Sequence, residues 1–214
     1  MTYLKIKRII DIFLSLIGLI VLSPLFLILI IAIKINSKGS VLFEQKRIGI
    51  RKSHFNILKF RTMRIDTPQD TPTHLLESPE QYITKMGKLL RKASLDELPQ
   101  IWNIFIGQMS IIGPRPALWN QYDLIAERDK YGANDIRPGL TGWAQINGRD
   151  ELPIEIKAKL DGEYVQRVSF GLDVKCFFRT IVSVLKHDGV VEGGTGYKEV
   201  AATKKATSKE TISG

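Results

Sequence analysis

The stretch from Ile12 to Ile33 is almost uninterrupted Leu, Ile, Val and Phe, and it constrains this chain more than any other feature. Its length matches the roughly 20 apolar residues a helix needs to cross a bilayer's hydrocarbon core. Two details argue against a simple span. Lys5, Lys7 and Arg8 precede the stretch while Lys34 and Lys38 follow it, so the bias of positive charge toward the cytoplasm pulls both ends to one side. Ser23-Pro24 sits midway, where proline removes a backbone donor and clashes with the preceding turn, so a helix kinks or breaks. A hairpin that enters and leaves by one face satisfies both facts; a kinked single-pass anchor satisfies the length alone. A cleaved signal peptide fits poorly, because the apolar stretch is too long and no small-residue cleavage site follows it.

The remainder of the 214 residues suffices for one compact domain. The pattern predicts a mainly helical α+β fold. Short apolar or alternating runs at Val41–Gln45 and Phe55–Phe60, separated by Gly49 and a basic turn, predict a β-hairpin. Prolines among polar residues mark Asp66 to Pro79 as a loop. Tyr82, Ile83, Met86, Leu89 and Leu90 recur at helical spacing, with Lys85, Lys88, Arg91 and Lys92 on the opposite face. That amphipathic basic helix suits a membrane surface or the solvated side of a packed core. Further helices are predicted from Ala117 to about Lys130 and from about Ile154 to Lys186, the latter broken near Ser169-Phe170-Gly171. The boundaries expected are a membrane segment over 1–38, a folded domain over 39–192 and a disordered, Lys/Thr/Ser-rich tail over 193–214.

The net charge of +9 implies an anionic partner: nucleic acid, phospholipid or a phosphorylated substrate. The single Cys176 excludes an internal disulfide, and His54, His74 and His187 show no zinc-site spacing. No GxGxxG, Walker-type loop or D-x-D triplet occurs. The sharpest local feature is Ser94-Leu95-Asp96-Glu97-Leu98-Pro99-Gln100. Ser94 with Glu97 three residues on fits a capping box, while Pro99 favours Asp96 at the helix start, because proline is harmless only in the first turn. A helix start would keep a carboxylate ionised and would also welcome a phosphate. Capping, and a catalytic or metal-binding carboxylate pair, both stay open on spacing alone. Cations beside glycine or proline form a second series: Lys59 and Arg61, Arg115, Arg137 and Arg149, joined by Arg91 on the basic helix. Arginine at rigid turns suits bidentate phosphate recognition, although each one singly also suits a surface salt bridge.

Several blocks occur together and in order: Ser23-Pro24, Lys59-Phe60-Arg61-Thr62-Met63, Ser94 to Gln100, Gly113-Pro114-Arg115-Pro116, Arg137 to Gln145, and Asn147-Gly148-Arg149. With them the chain resembles the bacterial sugar transferases, the monotopic phosphoglycosyl transferase superfamily, over roughly Lys5 to Glu192. It is similar to the minimal members, and Pro116–Gln121 resembles capsule-type enzymes that use acetamido-deoxyhexoses. The resemblance implies a re-entrant helix broken at Ser23-Pro24, seated in the cytoplasmic leaflet of the inner membrane and packed on a small cytoplasmic α/β domain with interfacial helices. It implies that Asp96 attacks a UDP-sugar of the N-acetylated deoxyhexosamine class, expels UMP and forms a phosphoglycosyl-aspartate that undecaprenyl phosphate then resolves. Glu97 would assist with Mg²⁺ or protons, Asp96 and Glu97 together would hold the metal, and Lys59, Arg61, Arg91, Arg115, Arg137 and Arg149 would contact phosphates or nucleotide. The product would initiate capsule, exopolysaccharide, O-antigen or glycoprotein glycan synthesis, with later glycosyltransferases as partners. Asp161 and Tyr164 fall where the family often has an Asp and a Tyr. A non-catalytic scaffold would need no acidic pair, and a nucleic-acid binder would have no use for Ser23-Pro24.

Overall fold

The computed structural model describes residues 2–67, 79–148 and 152–185. Most of the loop expected between Asp66 and Pro79, residue Arg149 and the tail over 193–214 lie outside the described residues. The described part is mainly helical with two small sheets, an α+β fold.

The apolar N-terminus forms two helices, α1 (Thr2–Val21) and α2 (Ser23–Asn36), which break at Leu22 and bend by 60°. Pro24 lies in the first turn of α2, where a backbone N–H is dispensable, and Ser23 Oγ donates to the Ile20 carbonyl at 2.7 Å. Among the described residues no single helix is long and apolar enough to cross a membrane. Strands β1 (Leu42–Ile48) and β2 (His54–Phe60) form the expected antiparallel hairpin, with Leu42 opposite Phe60 and Ile48 opposite His54. Helix α3 (Lys85–Lys92) follows, capped by the Thr84 side chain, which accepts from the Gly87 N–H at 2.9 Å.

Beyond α4 (Gln100–Phe105) comes a strand pair that sequence periodicity does not mark: β3 (Ser110–Ile112) runs parallel to β4 (Gly139–Thr141). Between them, α5 (Tyr122–Asp129) begins five residues later than expected, because Ala117 and Leu118 are engaged with the hairpin. The Ile48 N–H donates to the Ala117 carbonyl at 2.9 Å. A short α6 (Trp143–Ile146) precedes α7 (Ile154–Arg167) and α8 (Phe170–Leu185), which are separated near Ser169 as predicted.

Two core clusters position the site. Leu29 and Ile33 of α2 pack with Phe60 of β2 and Leu90 of α3, and Leu95 and Leu98 lie against them. Phe55 and Ile57 of β2 pack with Ile104 of α4 and Met109. The turn that carries Asp96 therefore rests on the cluster that α2, β2 and α3 build together.

Candidate active site

Lys59 sits one residue before the end of β2, on the opposite face from buried Phe60, as strand alternation requires. Ser94 follows α3 with a left-handed backbone (φ 53°, ψ 22°) and reverses the chain into a single 3-10 turn, Leu95–Glu97. Leu95 and Leu98 anchor that turn in the core, which fixes the two acidic residues between them. Arg115 arrives from the Gly-Pro-Arg-Pro turn after β3.

Neither capping reading holds. Helix α4 begins at Gln100 with Pro99 as its N-cap, and no side-chain oxygen bonds its first turn. A capping serine needs an extended backbone, which Ser94 lacks, and the 3-10 turn separates Asp96 from the first turn of α4. The acidic pair is thus free of that structural duty.

Glu97 and Asp96 have opposite surroundings. One oxygen of Glu97, Oε1, accepts from Lys59 Nζ at 2.7 Å and from Arg115 Nη2 at 2.8 Å. Burial alone would raise its pKa, but the charges and hydrogen bonds of Arg115 and Lys59 outweigh that and hold it well below the usual carboxylate range. No described residue donates a hydrogen bond to Asp96. Desolvation raises its pKa, aided by the Glu97 charge and opposed by Lys59, Arg91 and Arg115. Five of the expected site residues, Lys59, Arg91, Asp96, Glu97 and Arg115, therefore share one electrostatic neighbourhood.

Arg61 and Arg137 stand elsewhere. Arg61 is buried, and its Nη2 donates to the Ser37 carbonyl at 2.9 Å and to Ser37 Oγ at 2.8 Å, at the C-terminal end of α2. Gly39, at φ +110°, makes room: a Cβ there would overlap Arg61 Nη1. A cation suits that helix end. Arg137 Nε donates to the Gly107 carbonyl at 2.9 Å, just past α4, where Arg8 donates to the carbonyls of Ile104 at 2.6 Å and Phe105 at 2.8 Å. Proline correctly marked Arg137 as fixed, but it is fixed at the far end of α4 from Asp96. Arg149 lies outside the described residues.

Asp161 and Tyr164 are buried connectors. Asp161 Oδ2 accepts from Arg128 Nε at 2.8 Å and Nη2 at 2.6 Å, joining α7 to α5. The Tyr164 hydroxyl lies 2.6 Å from Asp173 Oδ1 and 3.3 Å from the Ile112 carbonyl, joining α7 to α8 and β3. Among the described residues no three His, Cys, Asp or Glu side chains gather into a metal-binding group.

Sequence reasoning missed a polar stripe on α1. Tyr3, Lys7, Asp11 and Ser15 recur every four residues and so line one face. Lys7 Nζ and the Tyr3 hydroxyl each lie 2.6 Å from Asp173 Oδ2, and Asp11 accepts from Ser110 Oγ at 2.7 Å and from the Ile111 N–H at 3.1 Å. Lys7 and Arg8, two of the positive charges that precede the apolar stretch, are both committed to the domain. The regular four-residue spacing within an apolar helix was the sign available.

The family described as bacterial sugar transferase matches residues 2–187. The uncharacterized sugar transferase EpsL of Bacillus subtilis (strain 168) is 38% identical over 185 residues, covering 86% of this chain and 90% of its own length. The exopolysaccharide production protein ExoY of Sinorhizobium fredii is 36% identical, covering 83% of this chain and 84% of its own. The UDP-glucose:undecaprenyl-phosphate glucose-1-phosphate transferase of Xanthomonas campestris pv. campestris is 38% identical over 84% of this chain, which spans only 38% of that longer protein. The resemblance read from the motif blocks is borne out: this chain belongs to the bacterial sugar transferase family.

Proposed function

We propose that the chain transfers a sugar 1-phosphate from a UDP-sugar to undecaprenyl phosphate, with release of UMP, through a covalent phosphoglycosyl group on Asp96. The observation that carries this is the pair of adjacent carboxylates whose environments push their pKa values apart, since such a division assigns different tasks to neighbouring acids. Glu97 is held as an anion and has its donors in place. Asp96 receives no hydrogen bond from the described residues and is more basic than an ordinary aspartate, which favours it as nucleophile.

In the first displacement an Asp96 oxygen bonds to the β-phosphorus, and the bond from that phosphorus to the bridging oxygen breaks, so the bridging oxygen leaves with UMP. In the second, an oxygen of the lipid phosphate attacks the same phosphorus and the Asp96 carboxylate is regenerated. Lys59, Arg91 and Arg115 supply positive charge where the phosphoryl oxygens gain negative charge. Mg²⁺ fits this donor set: both described donors to Glu97 use Oε1, and one or two carboxylates with substrate phosphates are its usual ligands. Bound there by Asp96 and Glu97, it would offset diphosphate charge.

A re-entrant seat of α1 and α2 in the cytoplasmic leaflet is supported by their 60° bend and by exposed apolar residues along both, among them Ile9, Phe13, Ile20, Leu27 and Ile28. Phe170, Phe177 and Phe178 of α8 are exposed apolar residues as well. For the sugar, the Pro116–Gln121 segment favours an N-acetylated deoxyhexosamine, whereas relatives are named for glucose.

Detergent-purified protein with Mg²⁺, undecaprenyl phosphate and a panel of UDP-sugars, glucose and acetamido-deoxyhexoses included, should release UMP with at least one donor. Silence across the panel refutes the reading. In single-turnover UMP release without lipid, the ionised form of Asp96 is the active one. Since its pKa is raised, the rate should fall on acidification at a pH above the ordinary aspartate value of about 3.9. A rate that holds steady down to that value would contradict the assigned environment of Asp96.

A further inference from the structure

We propose that Thr62 is a positioning residue for the transfer reaction, its hydroxyl holding the Arg91 guanidinium beside the Asp96 turn. Arg91 Nε donates to Thr62 Oγ1 at 2.9 Å, and Thr62 is 6% exposed, so the bond is shielded from water. Arg91 is near enough for its charge to act on Asp96.

The local structure is built to bring these two side chains together. The Thr62 carbonyl accepts from the Thr84 N–H at 2.9 Å and from Thr84 Oγ1 at 3.3 Å, which docks the start of α3 on the segment leaving β2. Gly87 then crosses Thr62 so closely that a Cβ would overlap the Thr62 carbonyl. Arg91 is one helical turn beyond Gly87 on the same face, which places its side chain over the hydroxyl.

The division of labour within Thr62 is the basis of the inference. Its backbone carbonyl docks α3, whereas among the described residues the partner of its hydroxyl is Arg91. An arginine fixed through one nitrogen loses less rotamer freedom when it meets a phosphoryl group, and small misplacements at a reacting phosphorus are costly in rate. Thr62 touches no substrate in this scheme and acts through Arg91.

The inference rests on the reading that Arg91 serves phosphoryl transfer at Asp96, and a double-mutant cycle separates the two. Thr62→Val keeps the shape and the docking carbonyl but removes the hydroxyl; it should slow single-turnover UMP release about tenfold while leaving thermal stability near wild type. Thr62→Ser should restore most of the rate. In an Arg91→Ala background, which is itself slowed, Thr62→Val should add nothing. Thr62→Ala gives the same comparison if the valine variant folds poorly. An equal loss in both backgrounds, or full activity of Thr62→Val beside an impaired Arg91→Ala, overturns the role of Thr62. Full activity of Arg91→Ala overturns the underlying reading of Arg91 and the inference with it.

Discussion

Asp96→Asn should give a protein that is folded and membrane-bound but releases no UMP, a loss of at least about 10⁴-fold if the nucleophile is removed. Asparagine keeps the shape of the side chain, and Asp96 caps no helix and receives no hydrogen bond from the described residues. Its burial disfavours the charge, so the neutral amide should leave thermal stability unchanged or slightly raised. Wild type given UDP-sugar and Mg²⁺ without lipid should gain the mass of a sugar phosphate on the peptide containing Asp96. Glu97→Gln is the informative companion, because it weakens the anion that Lys59 and Arg115 converge upon without touching the attacking oxygen. It should slow turnover and leave the site of attachment unmoved. Normal turnover in Asp96→Asn, or an adduct mapped to another residue, would refute the assignment.

The largest stability effect is expected at the buried ion pair that joins α5 to α7. In Asp161→Asn the Arg128 guanidinium, whose side chain is 4% exposed, loses its carboxylate and stays buried as an uncompensated charge. Breaking such a pair from one side costs about 3–5 kcal/mol, which in a domain of this size lowers the melting midpoint by roughly 6–20 °C. Asp66→Asn is the control: its partner Arg64 is 59% exposed, and the loss should be within about 1 kcal/mol. Replacing both Asp161 and Arg128 with apolar residues of similar size should recover much of the stability, since no charge is then left unpaired. UMP release per folded Asp161→Asn molecule should match wild type. Equal melting of the Asp161 and Asp66 variants would remove Asp161 from its structural role.

Much of this architecture was legible in the chain because it depends on neighbours in sequence. The break at Ser23-Pro24, the β1–β2 hairpin, the amphipathic α3 and the interruption near Ser169 are all set by local periodicity and by residues that stop it. The family was legible from ordered motif blocks. What escaped notice depends on distant partners. Strands β3 and β4 have three residues each, too few for alternation to register, and they pair across 26 intervening residues between Ile112 and Gly139. Arg61 and Arg137 looked like phosphate ligands because rigid turns hold them, yet rigidity does not say what a guanidinium faces; both bind helix-end carbonyls. The capping box at Ser94 failed because the left-handed backbone of that residue cannot be read from the letters Ser-x-x-Glu.

The stripe on α1 carries a consequence for how the protein is made. The N-terminal helix leaves the ribosome first, but Ser110, which bonds Asp11, lies 99 residues further along, and Asp173, which pairs with Lys7, lies 166 residues further. At a synthesis rate of about 20 residues per second, Lys7 waits on the order of ten seconds for its counter-charge. During that interval Lys7 and Asp11 have only water or lipid headgroups to satisfy them, which opposes deep burial of this half of the helix. On the proposed membrane seat, the apolar half beyond Ser15 would settle into the bilayer at once. Capture would then come early and docking of α1 onto the domain last, so the segment made first is among the last to reach its native contacts.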